Sequence, residues 1–289
     1  MDFVAIDLET SNSDMSSICQ IGVASFSNGA LVGEWSTLLN PETHFDEVNV
    51  SIHGITAKAV ANSPTFLEMY KQLESLLKNS IVVSHTHFDR VSLDKAIRKN
   101  QLDPIEVTWL DSAKVARRTW EECSHKGYGL SKVCKIIDYD FKHHDALEDA
   151  KACGAVLIAA IEKTGMDLDG WLTRVGQPII TGATNGKTLS GNPEGALFGQ
   201  TIVFTGALDI PRKEAALLAS KVGCEVTASV TKRTNLLVVG DQDITVLAGK
   251  NKSSKHIKAE HLIRQGIEIR ILKESDFKEL VEITDNIEK

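Results

Sequence analysis

The apolar positions of this chain change period several times, and the changes mark its elements. Phe3-Val4-Ala5-Ile6 is a short continuous apolar run of the kind a buried strand shows. Apolar-rich stretches follow over 18–26 and 30–39, separated by Asn28-Gly29, a dipeptide that tolerates the positive φ of a type I′ hairpin turn. The chain is therefore expected to open as an antiparallel meander. From Pro64-Thr65-Phe66 the period shifts to about 3.6 through Leu67, Tyr70, Leu73, Leu76 and Leu77, the stripe of an amphipathic helix. A strand is expected at Ile81-Val82-Val83, a helix over 89–99 through Val91, Leu93 and Ile97, and a strand over 107–110. Asp145 opens a long helical pattern through Ala152, Val156 and Ile161. It is placed to cap that helix, with Glu148 three residues on to complete a capping box. A β-rich start followed by βα units predicts a mixed sheet with helices packed on it.

Over 165–195 the pattern fails. Gly, Pro, Asn, Thr and Ser accumulate in GQPIITGATNGKTLSGNPEG, which reads as a linker, with Trp171 and Leu172 available to dock on a neighbouring domain. Periodicity resumes at Leu197. Strands are expected at 201–204, 236–239 and 267–271, and helices at 212–222, 255–265 and 274–283. Gly223 and Gly266 end the first two of these helices. The expected organisation is a first domain over 1–164, a linker over 165–195 and a compact α/β module over 196–289.

Composition narrows this picture only a little. The chain has 289 residues, with 42% hydrophobic and 25% charged, ordinary for a globular protein of about two domains. No apolar run approaches the roughly 18 residues of a membrane helix. MDFVAIDLET lacks the basic start and apolar stretch of a secretory signal, so a cytoplasmic location and no membrane partner are expected. Cys19, Cys123, Cys134, Cys153 and Cys224 are odd in number and form no CxxC pair. They are read as small buried residues rather than a zinc site or a disulfide framework. The net charge of −7 is uneven, −8 over residues 1–195 and +1 over residues 196–289. An acidic balance is unusual for a nucleic-acid binder, but a cluster of metal-ligating carboxylates lowers the charge of its own domain.

The candidate chemistry lies in the carboxylates. Asp7 and Glu9 stand two apart at the end of the first strand, so both side chains lie on one face. Such a pair repels itself unless a cation joins it, and taken alone it is better read as two solvated acids at a strand end. Asp89 begins a helix directly after an apolar strand, in SHTHFDR. His144 and Asp149, five apart, flank the start of the long helix in HHDALEDA.

In order and spacing, FVAIDLET, HTHFDR and HDALEDA resemble the three motifs of the DnaQ-like, or DEDDh, exonucleases, which include the proofreading subunits of bacterial replicases. Gln20-Ile21-Gly22 and His53-Gly54-Ile55-Thr56 fit the same family, and the resemblance covers residues 1–162. It implies a ribonuclease H-like fold and two Mg²⁺ or Mn²⁺ ions held by Asp7, Glu9, Asp89 and Asp149. It also implies His144 as the general base and substrate contacts from Thr10 and His53. Hard divalent ions take oxygen ligands, and an imidazole with an ordinary pKa near 6.5 suits proton transfer near neutral pH. The reaction implied is 3′→5′ hydrolysis of a single-stranded end to nucleoside 5′-monophosphates. One departure is visible. Many relatives have a His five residues before the Asp of the second motif; here His85 stands four before Asp89, and His87 replaces a small residue. Both are read as structural or as supports behind the ligand residues, and His143 as a bystander.

Residues 197–281 resemble a BRCT domain, closest to the kind in NAD-dependent DNA ligases, through LFGQTIVFTG, the Val-Gly after the first helix, TNLLVVG and SSKHIKAEHL. This implies a parallel sheet and a phosphate pocket of Thr205, Gly206, Arg212 and Lys255, with Lys258 one turn on. Lys250, Lys252, Lys255 and Lys258 would supply positive charge to a nucleic-acid backbone. The expected ligand is a DNA 5′-phosphate, and the expected partners are nucleic acid and a replication or repair protein. Two other readings stand beside this one: an RNA-trimming exonuclease, and an end-binding scaffold with an inactive nuclease domain. The presence of Asp7, Glu9, Asp89, His144 and Asp149 together argues against the scaffold.

Overall fold

The computed structural model describes residues 2–124, 127–177, 191–192, 195–241 and 252–287. The chain divides into two units, 1–177 and 178–289.

The first unit is built on a five-stranded mixed sheet of order β3-β2-β1-β4-β5. Its strands are β1 (Asp2–Thr10), β2 (Ile18–Ser27), β3 (Ala30–Leu38), β4 (Ile81–Ser84) and β5 (Thr108–Asp111). β1, β2 and β3 form the antiparallel meander, and β4 and β5 continue the sheet in parallel with β1. Asn28 and Gly29, at φ 51° and 80°, make the turn that the sequence calls for. The helices are α1 (Glu47–His53), α2 (Ala57–Val60), α3 (Phe66–Leu77), α4 (Phe88–Lys99), α5 (Ser112–Thr119), α6 (Leu130–Ile136), α7 (Ala146–Thr164) and α8 (Leu168–Val175). Two apolar layers sandwich the sheet. One places Phe3, Ala5, Phe26 and Val83 against α5, α7 and α8; the other places Ile6, Ile21, Val23 and Val82 against α3 and α4.

Two local expectations change. Asp145 caps α7 by accepting from the Leu147 N–H, but Glu148 does not close a capping box and instead accepts from Lys151 at 3.0 Å. The reciprocal box forms at α3, between Thr65 and Glu68. At the other end of the unit, the first residues of the expected linker are helical. α8 carries Leu168 and Trp171 into the core beside Val156 and Leu157, and Trp171 is 1% exposed. Apolar burial thus draws the first unit on to Gln177. Residues 178–190, 193 and 194 of that segment lie outside the described residues.

The second unit has a parallel four-stranded sheet of order β7-β6-β8-β9. The strands are β6 (Thr201–Thr205), β7 (Glu225–Val226), β8 (Leu236–Val239) and β9 (Arg270–Lys273), with helices α9 (Arg212–Lys221), α10 (Ser254–Arg264) and α11 (Glu274–Ile287). The last strand begins three residues later than its apolar alternation suggests, because Arg270 pairs with Leu236 and Ile271 with Leu237. All five cysteines are buried and free. No helix among the described residues is long and apolar enough to cross a membrane.

Candidate active site

β1 carries Asp7 and Glu9 on one face at its carboxyl end. In the antiparallel register Asp7 lies opposite Gly22 and Glu9 opposite Gln20. Those two β2 residues determine what can sit above the carboxylates. A Cβ on Gly22 would stand 2.1 Å from the Ala146 carbonyl carbon and 2.3 Å from the Leu147 nitrogen. Only the missing side chain lets α7 start this close to the sheet. Gln20 Oε1 then accepts from the Ala146 N–H at 3.2 Å and satisfies one of the free N–H groups of the helix start.

Asp149, in the first turn of α7 and 3% exposed, is thereby delivered to β1. Oxygen atoms of Asp7, Glu9 and Asp149 lie within 4.8 Å of one another. Asp89, 4% exposed at the start of α4, joins from the β4 side: its Oδ1 accepts the Leu8 N–H at 3.1 Å, between the two β1 acids in sequence. Three of the four expected metal ligands therefore form one tight group, and Asp89 is docked on the strand that carries two of them.

The two loops that deliver Asp89 and Asp149 each hold a side-chain-bearing residue at positive φ: Thr86 at 82° and His144 at 66°. For a β-branched residue this is an uncommon conformation that the surroundings must enforce. Ser84 Oγ donates to the Thr86 carbonyl at 2.8 Å, and the Thr86 N–H donates to Asp111 Oδ1 at 3.1 Å. Asp111 also caps α5 through the Ala113 and Lys114 N–H groups. His144 is held by its own N–H, which donates to Asp149 Oδ2 at 2.8 Å.

The histidines sort differently from their sequence reading in one respect. His143 is no bystander: its Nδ1 lies 2.6 Å from Asp149 Oδ1, and its ring stacks on that of His144 at 3.9 Å. The sequence holds no cue for this, because nothing in it says that the backbone turns at His144. His85 Nε2 bonds the Tyr128 carbonyl at 2.7 Å and Nδ1 bonds Ser112 Oγ at 2.8 Å, so its ring ties β4 to α5 and to the loop before α6. Burial lowers the pKa of His85, against the pull of Asp111. His87 faces Asp111 Oδ2 at 3.7 Å.

At the other side of Glu9, Thr10 offers its main-chain carbonyl to α1. Asn49 Nδ2 donates to it at 2.8 Å, and His53 Nε2 lies 3.2 Å away. His53 Nδ1 accepts the Ile55 N–H at 3.0 Å. Nε2 is therefore the protonated nitrogen, donating to Thr10. Burial holds the imidazole pKa below its ordinary value, consistent with a neutral ring. Asn49 has no place in the sequence motifs; only the helix spacing of four from His53 hints that the two share a face.

In the second unit, Arg212 Nη1 and Lys255 Nζ both donate to the Phe204 carbonyl, at 2.9 and 3.0 Å, and Arg212 Nη2 donates to the Gly206 carbonyl at 2.7 Å. Thr205 Oγ1 lies 2.7 Å from Ser253 Oγ, the N-cap of α10. Burial and the neighbouring Arg212 cation both lower the Lys255 pKa. Two cations, two hydroxyls and a helix start thus gather at the carboxyl end of β6. Lys258 is exposed and takes no part in these hydrogen bonds. Lys252 is ion-paired with Glu260, so its charge is already answered. Lys250 lies outside the described residues.

A family model described as "Exonuclease" matches residues 4–157, and one described as "BRCA1 C Terminus (BRCT) domain" matches residues 192–280. The DNA polymerase III PolC-type protein of Thermotoga petrophila is 29% identical over 164 residues, covering 55% of this chain and 12% of that protein. The protein of the same description from Caldanaerobacter subterraneus is 27% identical over 165 residues, covering 56% of this chain and 12% of its own length. The chain spans 12% of the length of each of these relatives. Among solved structures, Exonuclease X in complex with 5′ overhanging duplex DNA matches with a TM-score of 0.50 and 22% identity, over 60% of this chain and 99% of that one. The likeness is one of fold, the ribonuclease H-like mixed sheet with flanking helices.

Proposed function

Because the chain belongs to the Exonuclease family and carries a BRCT domain at its C-terminal side, we propose that it is a metal-dependent 3′→5′ exonuclease of the DEDDh type. It hydrolyses single-stranded DNA to nucleoside 5′-monophosphates. The observation that carries this reading is the convergence of Asp7, Glu9 and Asp149 oxygens within 4.8 Å, with Asp89 docked on the same strand. Carboxylates this close repel one another and call for cations. Their donors are all hard oxygens, which fit Mg²⁺ or Mn²⁺. Two such ions, when bound by Asp7, Glu9, Asp89 and Asp149, polarise the phosphoryl group and neutralise charge on the attacking and leaving oxygens.

The chain's own residues do the rest. His144, tied through its main chain to Asp149, takes the proton from the attacking water. Thr10, with His53 and Asn49 braced against its carbonyl, forms the wall on which the terminal nucleotide rests. In the BRCT domain, Thr205, Gly206, Arg212 and Lys255, with Lys258 at the rim, take a 5′-phosphate of DNA. Support for that comes from the two cations gathered on the Phe204 carbonyl beside the Thr205 hydroxyl.

The test is digestion of 5′-labelled single-stranded DNA and RNA of one sequence with Mg²⁺, Mn²⁺ or EDTA, for wild type and Asp7→Ala. A ladder shortening from the 3′ end, dependent on metal and absent in the variant, is expected. The faster polymer names the substrate. A ladder of equal rate from Asp7→Ala would overturn the site.

A further inference from the structure

We propose that His143, His144 and Asp149 form a second, nitrogen-bearing metal subsite that takes zinc or a similar borderline ion, and that filling it shuts the active site off. The binding half stands on the geometry alone; the inhibitory half rests on the exonuclease reading above.

One ligand atom from each of the three residues lies within 4.8 Å of the others. In an extended chain, consecutive side chains point to opposite sides. Here His144 at φ 66° and its N–H bond to Asp149 turn the chain, so that two adjacent imidazoles come to the same side. Their rings stack at 3.9 Å with 20° between planes, so one ring turns out of the stack for both in-plane lone pairs to reach a single ion. Phe141 meets the His143 ring edge-on, with centroids 5.4 Å apart. His143 Nδ1 already shares a hydrogen with Asp149 Oδ1 at 2.6 Å, and a metal entering there replaces that hydrogen.

The donor set differs in kind from its neighbour. Asp7, Glu9 and Asp149 offer only oxygen, which suits Mg²⁺; two imidazoles and a carboxylate suit Zn²⁺, which takes three protein ligands about 2.0–2.2 Å away and keeps one open position. Asp149 belongs to both groups. A zinc ion held here occupies the imidazole of His144 and draws on the carboxylate of Asp149. The group proposed to accept a proton then has no lone pair left for it. Micromolar zinc should therefore stop digestion in the presence of saturating magnesium.

The experiment uses the full chain freed of metal by a chelator. Zn²⁺ is titrated by calorimetry and Co²⁺ by its visible absorption, which reports nitrogen ligation, for wild type, His143→Ala, His143→Asn and Asp7→Ala. Wild type should bind Zn²⁺ in the presence of excess Mg²⁺. Both His143 variants should bind it at least about tenfold more weakly, the low end of what loss of support costs a metal site, while Asp7→Ala stays close to wild type. The Asn variant keeps an amide that can still donate to Asp149, so it judges the inference should the Ala variant fail to fold. Equal Zn²⁺ affinity in wild type and His143→Asn overturns the subsite, as does loss of Zn²⁺ in Asp7→Ala alone, which would put the ion among the carboxylates. In the digestion arm, half-inhibition by Zn²⁺ should move at least tenfold higher in His143→Asn; an unmoved value overturns the inhibitory half. If wild type digests nothing with any metal, the exonuclease reading fails, and calorimetry alone still decides the subsite.

Discussion

His53 shows how much a single side chain can be asked to do here, and what its protonation would undo. Both ring nitrogens are engaged, Nδ1 by the Ile55 N–H and Nε2 by the Thr10 carbonyl. A proton added at Nδ1 would face the Ile55 N–H, donor against donor. Burial holds the folded-state pKa below the ordinary 6.5. With the folded value the lower one, the unfolded chain takes up the proton first as pH falls, so the ring's contribution is intact above pH 6.5 and declines below it. If His53 works by bracing Thr10, then Asn49→Ala, which removes the companion bond at 2.8 Å, should raise KM for an oligonucleotide several-fold with kcat nearly kept. His53→Ala should do the same more strongly, and the KM of wild type should climb as pH drops below 6.5. A normal KM in Asn49→Ala would instead leave His53 acting by direct contact with substrate. The resemblance implied that Thr10 and His53 meet substrate, but their bracing through the Thr10 carbonyl could not be read before the fold was known. Asp7, Glu9, Asp89, His144 and Asp149 stood out because their chemistry and spacing are in the sequence. Asn49, His143 and Ser253 did not, because their roles depend on where a backbone turn or a neighbouring helix aims them.

At the scale of elements, the site depends on how closely α7 approaches β2. Gly22→Ala would place a methyl group 2.1 Å from the Ala146 carbonyl carbon and 2.2 Å from its oxygen. These are main-chain atoms with no rotamer to move, so the helix start must shift. Overpacking of this kind costs on the order of 1–3 kcal/mol. The variant should melt at lower temperature, and it should lose digestion by more than its stability loss explains, since Asp149 rides in the displaced turn. A thermal melt beside a rate measured well below the melting point separates the two effects; a rate as high as wild type would show that Asp149 does not need this seat. The elements that carry the site were legible from the continuous apolar run of β1, the apolar stretches of β2 and β3, and the helical period of α3, α4 and α7. α5 was hidden because Lys114 and Arg117, 6% and 3% exposed, put charge on buried positions of SAKVARRT. α8 was hidden by the Gly- and Pro-rich composition that follows it, although Trp171 is among the most buried side chains of the unit.

The whole molecule pairs an acidic unit with a nearly neutral one, and the proposed division of labour follows from that. Residues 1–195 carry −8 and residues 196–289 carry +1. An acidic nuclease unit gains little from long-range attraction to DNA, so a separate handle on the polymer is useful to it. The gathered cations of the second unit are the candidate handle, but they are few. Among the described residues Lys252 is paired with Glu260, which leaves Arg212 and Lys255 on the Phe204 carbonyl and an exposed Lys258. As the proposed phosphate site, this group would grip one phosphate rather than a length of backbone. Lys255→Ala should therefore weaken binding to a 5′-phosphorylated oligonucleotide about tenfold, as loss of one charge-assisted contact does, and lower the salt slope of binding by about one. The same variant should bind the 5′-hydroxyl oligonucleotide as wild type does. Turnover of a trinucleotide should stay at the wild-type rate, because nothing in the carboxylate site has changed. Fluorescence anisotropy with the two 5′ ends at several salt concentrations makes the comparison. An equal loss on both ends would assign Lys255 to general backbone attraction, and no loss on either would remove DNA phosphate as the ligand of this unit and turn attention to a phosphorylated protein partner.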